Sequence, residues 1–82
     1  MAVYQIGFKA TVYHNEFIAA HSKREAEWIA RELLEVNHPE WNQRLCEGFD
    51  ESVAYDAEVM EAQCGDGDKP TLTFEKLEEY LG

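Results

Sequence analysis

Apolar and other residues alternate along the start of the chain, with Tyr4, Ile6, Phe8, Ala10 and Val12 on one side and Gln5, Gly7, Lys9, Thr11 and Tyr13 on the other. A period of two marks a strand with one face on a core, because successive side chains point to opposite sides of a sheet. The His14-Asn15 pair reads as a tight turn and Glu16 to Ala20 as a second, antiparallel strand. The chain is therefore expected to open with a hairpin.

The period then changes. Ser22-Lys23-Arg24-Glu25 has the spacing of a capping box, in which the serine oxygen accepts from the amide three residues on and the glutamate reaches back. Ala26, Ile29, Ala30, Leu33 and Leu34 follow on one helical face up to about Val36, where Asn37, His38 and Pro39 end the helix. Pro39-Glu40-Trp41 suits a short helical turn with proline at its first position, and a break follows around Gly48.

Alternation returns from Val53 to Gln63. Val53, Tyr55, Ala57 and Val59 share one side, Asp56, Glu58 and Met60 the other, which predicts a third strand with an acidic outer face. Cys64 to Pro70 concentrates turn-formers and predicts a flexible loop. Thr71 or Thr73 then caps a last helix through Leu81, with Phe74, Leu77 and Leu81 as its apolar stripe and Glu75, Glu78 and Glu79 facing water. The order ββαβα over residues 1–82 predicts a single α+β domain: a three-stranded antiparallel sheet, the long helix across one face and a short C-terminal helix.

Composition narrows what such a domain can be. A chain of 82 residues buries only about 60% of its unfolded surface, which leaves little room for a deep, enclosed site. An apolar fraction of 45% still supplies one packed core. No apolar run reaches the roughly 18 to 20 residues of a membrane span, and Met1-Ala2-Val3-Tyr4 lacks the basic start of a signal peptide, so no membrane association and a cytoplasmic location are expected. Cys46 and Cys64 are far apart and expected to be free thiols.

Charge is distributed unevenly. Met1 to Cys46 holds six acids against five Lys and Arg, a net of −1, whereas Glu47 to Gly82 holds eleven against two, a net of −9. Phosphates demand a basic face, so direct nucleic-acid binding is disfavoured and a protein partner with a basic surface is favoured. Solubility alone is the other reading of such acidity.

Motifs for catalysis or cofactors are missing from the sequence. Asp66-Gly67-Asp68 resembles the start of a calcium loop, but Pro70 stands where an oxygen ligand is required and Leu77 where a glutamate is required. His14, His21, His38, Cys46 and Cys64 have none of the short spacings of zinc sites. No phosphate-cradling glycine loop, nucleophile elbow or dinucleotide fingerprint occurs. No catalytic residue, metal ligand or cofactor is assigned, and the chain is expected not to be an enzyme.

Binding residues are the better candidates. Trp28 points away from the Ala26 and Leu33 stripe, on a face with Arg24, Arg31, Glu32 and Glu35, so it is either an exposed aromatic anchor or covered by the segment around Trp41. Trp28 and Trp41 are the aromatic contact candidates. The acidic candidates, with Glu47 beside them, are Asp50, Glu51, Asp56, Glu58, Glu61, Asp66 and Asp68, either a row imitating phosphates to a basic groove or a solvated face.

The run from Tyr4-Gln5-Ile6-Gly7-Phe8 through Glu16-Phe17-Ile18-Ala19-Ala20 to His21-Ser22-Lys23-Arg24-Glu25-Ala26-Glu27-Trp28-Ile29-Ala30 resembles the small DpnD/PcfM-like proteins of phages and plasmids, and its hairpin-then-helix layout is similar to that of some small anti-CRISPR proteins. The resemblance covers about the first 36 residues and the later strand, and departs at Pro39 to Gly48 and in the C-terminal helix, so it carries no residue roles. It implies a mobile-element accessory protein. The functional expectation is a non-enzymatic inhibitor that blocks a basic, nucleic-acid-binding surface of a host complex; the alternative is a small adaptor or homodimer, contacting through the hairpin edge or the Trp28 face, whose acidity only confers solubility.

Overall fold

A computed structural model describes residues 2–10, 13–36, 38–48, 57–65 and 69–82. Its elements are β1 (Ala2–Lys9), β2 (Tyr13–Ala20), α1 (Lys23–Val36), α2 (Pro39–Gly48), β3 (Glu58–Val59), β4 (Gln63–Cys64) and α3 (Phe74–Leu81). The architecture is α+β, and the described residues form a four-stranded antiparallel sheet and three helices. No helix among the described residues is long and apolar enough to cross a membrane.

The hairpin forms, but it reverses earlier than the His14-Asn15 pair suggested. Those two residues lie inside β2, where His14 pairs with Phe8 and Asn15 with Gly7, and β1 ends at Lys9. The connecting residues Ala10, Thr11 and Val12 include no glycine, proline or asparagine to mark a turn. Packing sets this register: it places Tyr4, Ile6 and Phe8 opposite Ile18, Glu16 and His14, so one inward layer continues across both strands. Gly7 sits on the other face, where an added Cβ would lie 3.2 Å from Asn15 Oδ1 and 3.3 Å from Met60 Cγ. A larger residue there would push its cross-strand neighbours apart.

The expected single strand from Val53 to Gln63 is replaced, in its described part, by two short pieces that both pair with β1; Val53 to Asp56 lie outside the described residues. Phe8 pairs with Val59 and Gln5 with Gln63, so three steps along β1 meet four along its partner. The extra residue is a β-bulge, which reverses the in-out alternation. Ala57 and Val59 pack on the core before it, and Ala62 is buried after it. Met60 N–H still donates to Gly7 O at 2.7 Å, whereas Ala62 N–H leaves the ladder and donates to Glu27 Oε2 on α1 at 3.0 Å.

On α1, Glu25 N–H donates to Ser22 Oγ at 3.1 Å, the first half of the capping box. The Glu25 carboxylate reaches one residue beyond the box, accepting from His21 N–H at 3.3 Å and meeting the His21 ring at 3.1 Å. Ala26, Ala30 and Leu33 are buried against the sheet. The segment from Pro39 is a ten-residue helix rather than one turn, because Trp41 and Leu45, one turn apart, both enter the core. Thr73 caps α3 by accepting from Lys76 N–H, but its buried face is Leu77 and Tyr80, not Phe74. Phe74 is 69% exposed.

β1 is paired on both sides, and the outer edge of β2 is met at Phe17 and Ile18. β3 and β4 line β1, while Ile18 forms a parallel bridge with Leu72 and Phe17 exchanges hydrogen bonds with Thr71. The hairpin edge is therefore covered at Phe17 and Ile18, which removes that stretch as a strand-pairing surface.

Candidate functional site

Of the acidic candidates, Asp50, Glu51, Asp56, Asp66 and Asp68 lie outside the described residues. Glu47 on α2, Glu58 on β3 and Glu61 in the bulge are exposed. Glu61 borders a hollow on the outer face of the sheet that Gln5, Gly7, Asn15 and Met60 also line. Neither Glu58 nor Glu61 forms an ion pair among the described residues.

The two tryptophans have opposite fates. Trp41 is fully buried, its ring edge-on to Phe8 at 5.3 Å between centroids and 6.1 Å from Tyr80, so it is a core residue and not the surface contact proposed for it. Its indole Nε1 is buried without a hydrogen-bond partner among the described residues. Trp28 is 57% exposed, so the segment around Trp41 does not cover it. The physical reason is direction: α2 follows α1 after a short break and turns its Trp41 into the sheet, against Phe8 and His14, leaving the Trp28 side of α1 open.

What lies beside Trp28 is α3. Trp28 and Ile29 of α1 and Phe74, Leu77 and Leu81 of α3 line a groove of about 360 Å³, with Glu78 at its border. Phe74, expected in the core, is its most exposed member, because the last helix turns Leu77 and Tyr80 inward. By helical spacing, Glu32 and Glu35 follow Trp28 on the same face of α1, and Glu78 follows Phe74 on α3 with Glu75 one turn before it. None of these four carboxylates forms an ion pair among the described residues, whereas Lys76 of α3 is engaged by Glu40 at 3.1 Å and Glu79 at 3.5 Å.

Compared with models of known protein families, with curated proteins and with solved structures, the chain matches none. The candidate site therefore rests on its own geometry.

A second cluster went unnoticed in the sequence. Glu16 on β2 is 1% exposed, yet its carboxylate is fully engaged. Arg44 of α2 donates to it through Nε at 2.6 Å and Nη2 at 2.9 Å, Thr71 Oγ1 donates at 2.6 Å, and His14 Nε2 lies at 2.7 Å. Burial is the largest single influence on this carboxyl and raises its pKa, but the hydrogen bonds from Arg44, His14 and Thr71, with the Arg44 charge, together outweigh it and hold Glu16 at about 2. A general acid or base works best near the ambient pH and must reach its substrate. Glu16 meets neither condition and acts as a clamp joining β2, α2 and the segment before α3. Its inward parity with Ile18 and Ala20 was the one available signal.

Cys46 and Cys64 are free. Among the described residues no three His, Cys, Asp or Glu side chains are grouped to hold a metal ion.

Proposed function

We propose that this chain is a non-enzymatic binding protein that engages a basic surface on a protein partner. The observation that carries this reading is the set of uncompensated carboxylates: Glu32, Glu35, Glu58, Glu61, Glu75 and Glu78 have no ion pair among the described residues, in a chain of net charge −10. Such a surface steers association with a positively charged partner and repels nucleic acid. The concrete form is a phage or mobile-element inhibitor that covers the basic, nucleic-acid-binding surface of a host complex, a form implied by the resemblance of the first half of the chain. The exposure of Trp28 and Phe74 favours a second reading, in which an adaptor binds through apolar contact and its acidity only confers solubility.

The two readings differ in their salt dependence. A partner captured from the natural host and identified would be tested for association rate over a salt series. Under the first reading the rate falls steeply as salt rises, and the double reversal Glu58→Lys with Glu61→Lys slows it while leaving the urea midpoint unchanged. A rate indifferent to both salt and the reversal overturns it.

A further inference from the structure

We infer that the groove between α1 and α3 is a docking site for a basic amphipathic helix of a protein partner, with Trp28 and Phe74 as the aromatic walls. This rests on, and sharpens, the proposed engagement of a basic protein surface. The floor and walls are apolar: Trp28 and Ile29 on one side, Phe74, Leu77 and Leu81 on the other. Trp28 and Phe74 are two of the most exposed large apolar side chains described, at 57% and 69%, and they share one groove. Clustered exposed aromatic surface of this kind marks an interaction site more often than scattered apolar residues do.

Charge selects the occupant. Glu78 lines the groove, and by helical spacing Glu32 and Glu35 continue the Trp28 face of α1 while Glu75 stands one turn before Glu78 on α3; none of the four forms an ion pair among the described residues. Lys76 is neutralised by Glu40 and Glu79, and Arg31 pairs with Glu27 at 3.4 Å, so that among the described residues only Lys23 and Arg24, in the first turn of α1, are cations of these two helices without a carboxylate partner. An occupant that fills the groove with leucine-like side chains and lays lysines or arginines along both banks satisfies both features. A helix with apolar residues at i, i+3, i+4 and i+7 has that shape. A second copy of the chain does not fit, since each brings a net charge of −10 and the same acidic banks.

The test uses synthetic peptides of about 18 residues, enough for about five helical turns. One has leucines on a single helical face and lysines elsewhere, one has the same composition with the leucines scattered, and one has glutamates replacing the lysines; none contains tryptophan. Because Trp41 is already fully buried, a blue shift of the protein's tryptophan emission reports burial of Trp28. The patterned leucine-lysine peptide should produce that shift and bind at least about tenfold more tightly than the other two. Phe74→Ala, and Glu32→Lys combined with Glu78→Lys, should each weaken it by about tenfold or more, whereas Tyr13→Ala, which removes an exposed aromatic on the outer face of the sheet, should leave it within about twofold. Labelled-peptide anisotropy serves for Trp28→Ala, and thermal unfolding confirms that each variant remains folded.

Equal binding of the scattered or glutamate peptide, or indifference to Phe74→Ala, overturns the inference. So does a concentration-dependent dimer that Phe74→Ala dissociates, which would assign the groove to a second copy. The broader reading fails separately, through a natural partner whose association ignores salt and the Glu58 and Glu61 reversal.

Discussion

Keeping a carboxylate ionised on the inward face of a sheet costs several kcal/mol unless its oxygens are fully engaged, and at Glu16 they are. Removing one partner is therefore worse than removing the charge. Arg44→Ala should destabilise the chain by about 2 to 4 kcal/mol, somewhat below a fully enclosed pair because Arg44 still reaches solvent, and Glu16→Gln should cost less, since a neutral amide can still accept from Thr71 and Arg44. Urea unfolding of both variants checks the order. The pH dependence follows from the same contacts. Because Glu16 titrates in the fold at about 2, below its ordinary 4.5, the stabilisation is complete above about pH 4.5 and is lost as pH falls from there toward 2. Across that window the wild type should lose more stability than Glu16→Gln, and parallel losses would show that other carboxylates dominate. Little of this was legible beforehand: the alternation shows Glu16 in line with Ile18 and Ala20, but Arg44 and Thr71 stand 28 and 55 residues away. The same limit applies to the tryptophans, whose exposure depends on which way α2 turns.

Among the elements, α1 was the most legible and the third strand the least. Its cap and apolar stripe lie within a few residues of each other, and Leu33, on that stripe, is fully buried. Leu33→Ala should cost about 2 to 5 kcal/mol, whereas Phe74→Ala, on the exposed side of α3, should change the unfolding free energy by less than about 0.5 kcal/mol. A large effect at Phe74 would mean that α3 packs the other way round. The bulge offers a sharper check. Glu27→Ala removes the acceptor of Ala62 N–H and should cost about 1 to 3 kcal/mol while speeding hydrogen exchange at Ala62 more than at Met60, whose amide stays on Gly7. Unchanged exchange at Ala62 would show that the amide does not depend on Glu27. Alternation alone could not place this bulge, because the extra residue appears only when Val59 and Gln63 are set against β1.

At the scale of the whole molecule the net charge of −10 works against compactness. Raising ionic strength from about 0.01 M to about 0.15 M shortens the screening length from about 30 to about 8 Å, so added sodium chloride should raise the urea midpoint, with the buried Glu16–Arg44 pair little affected. A falling midpoint would mean that exposed pairs such as Lys76–Glu40 outweigh the repulsion. By itself the sequence determined the α+β class, the hairpin, the capped first helix, a threonine cap on the last helix and the acidity of the second half, because each depends on residues within a turn or two of one another or on composition alone. Tertiary structure decided where the hairpin reverses, where the third strand bulges, which tryptophan is buried, how Glu16 is held, and that Trp28 meets Phe74 across a groove. Those outcomes are set by contacts between distant segments competing for one small core, and no local pattern encodes which segment wins.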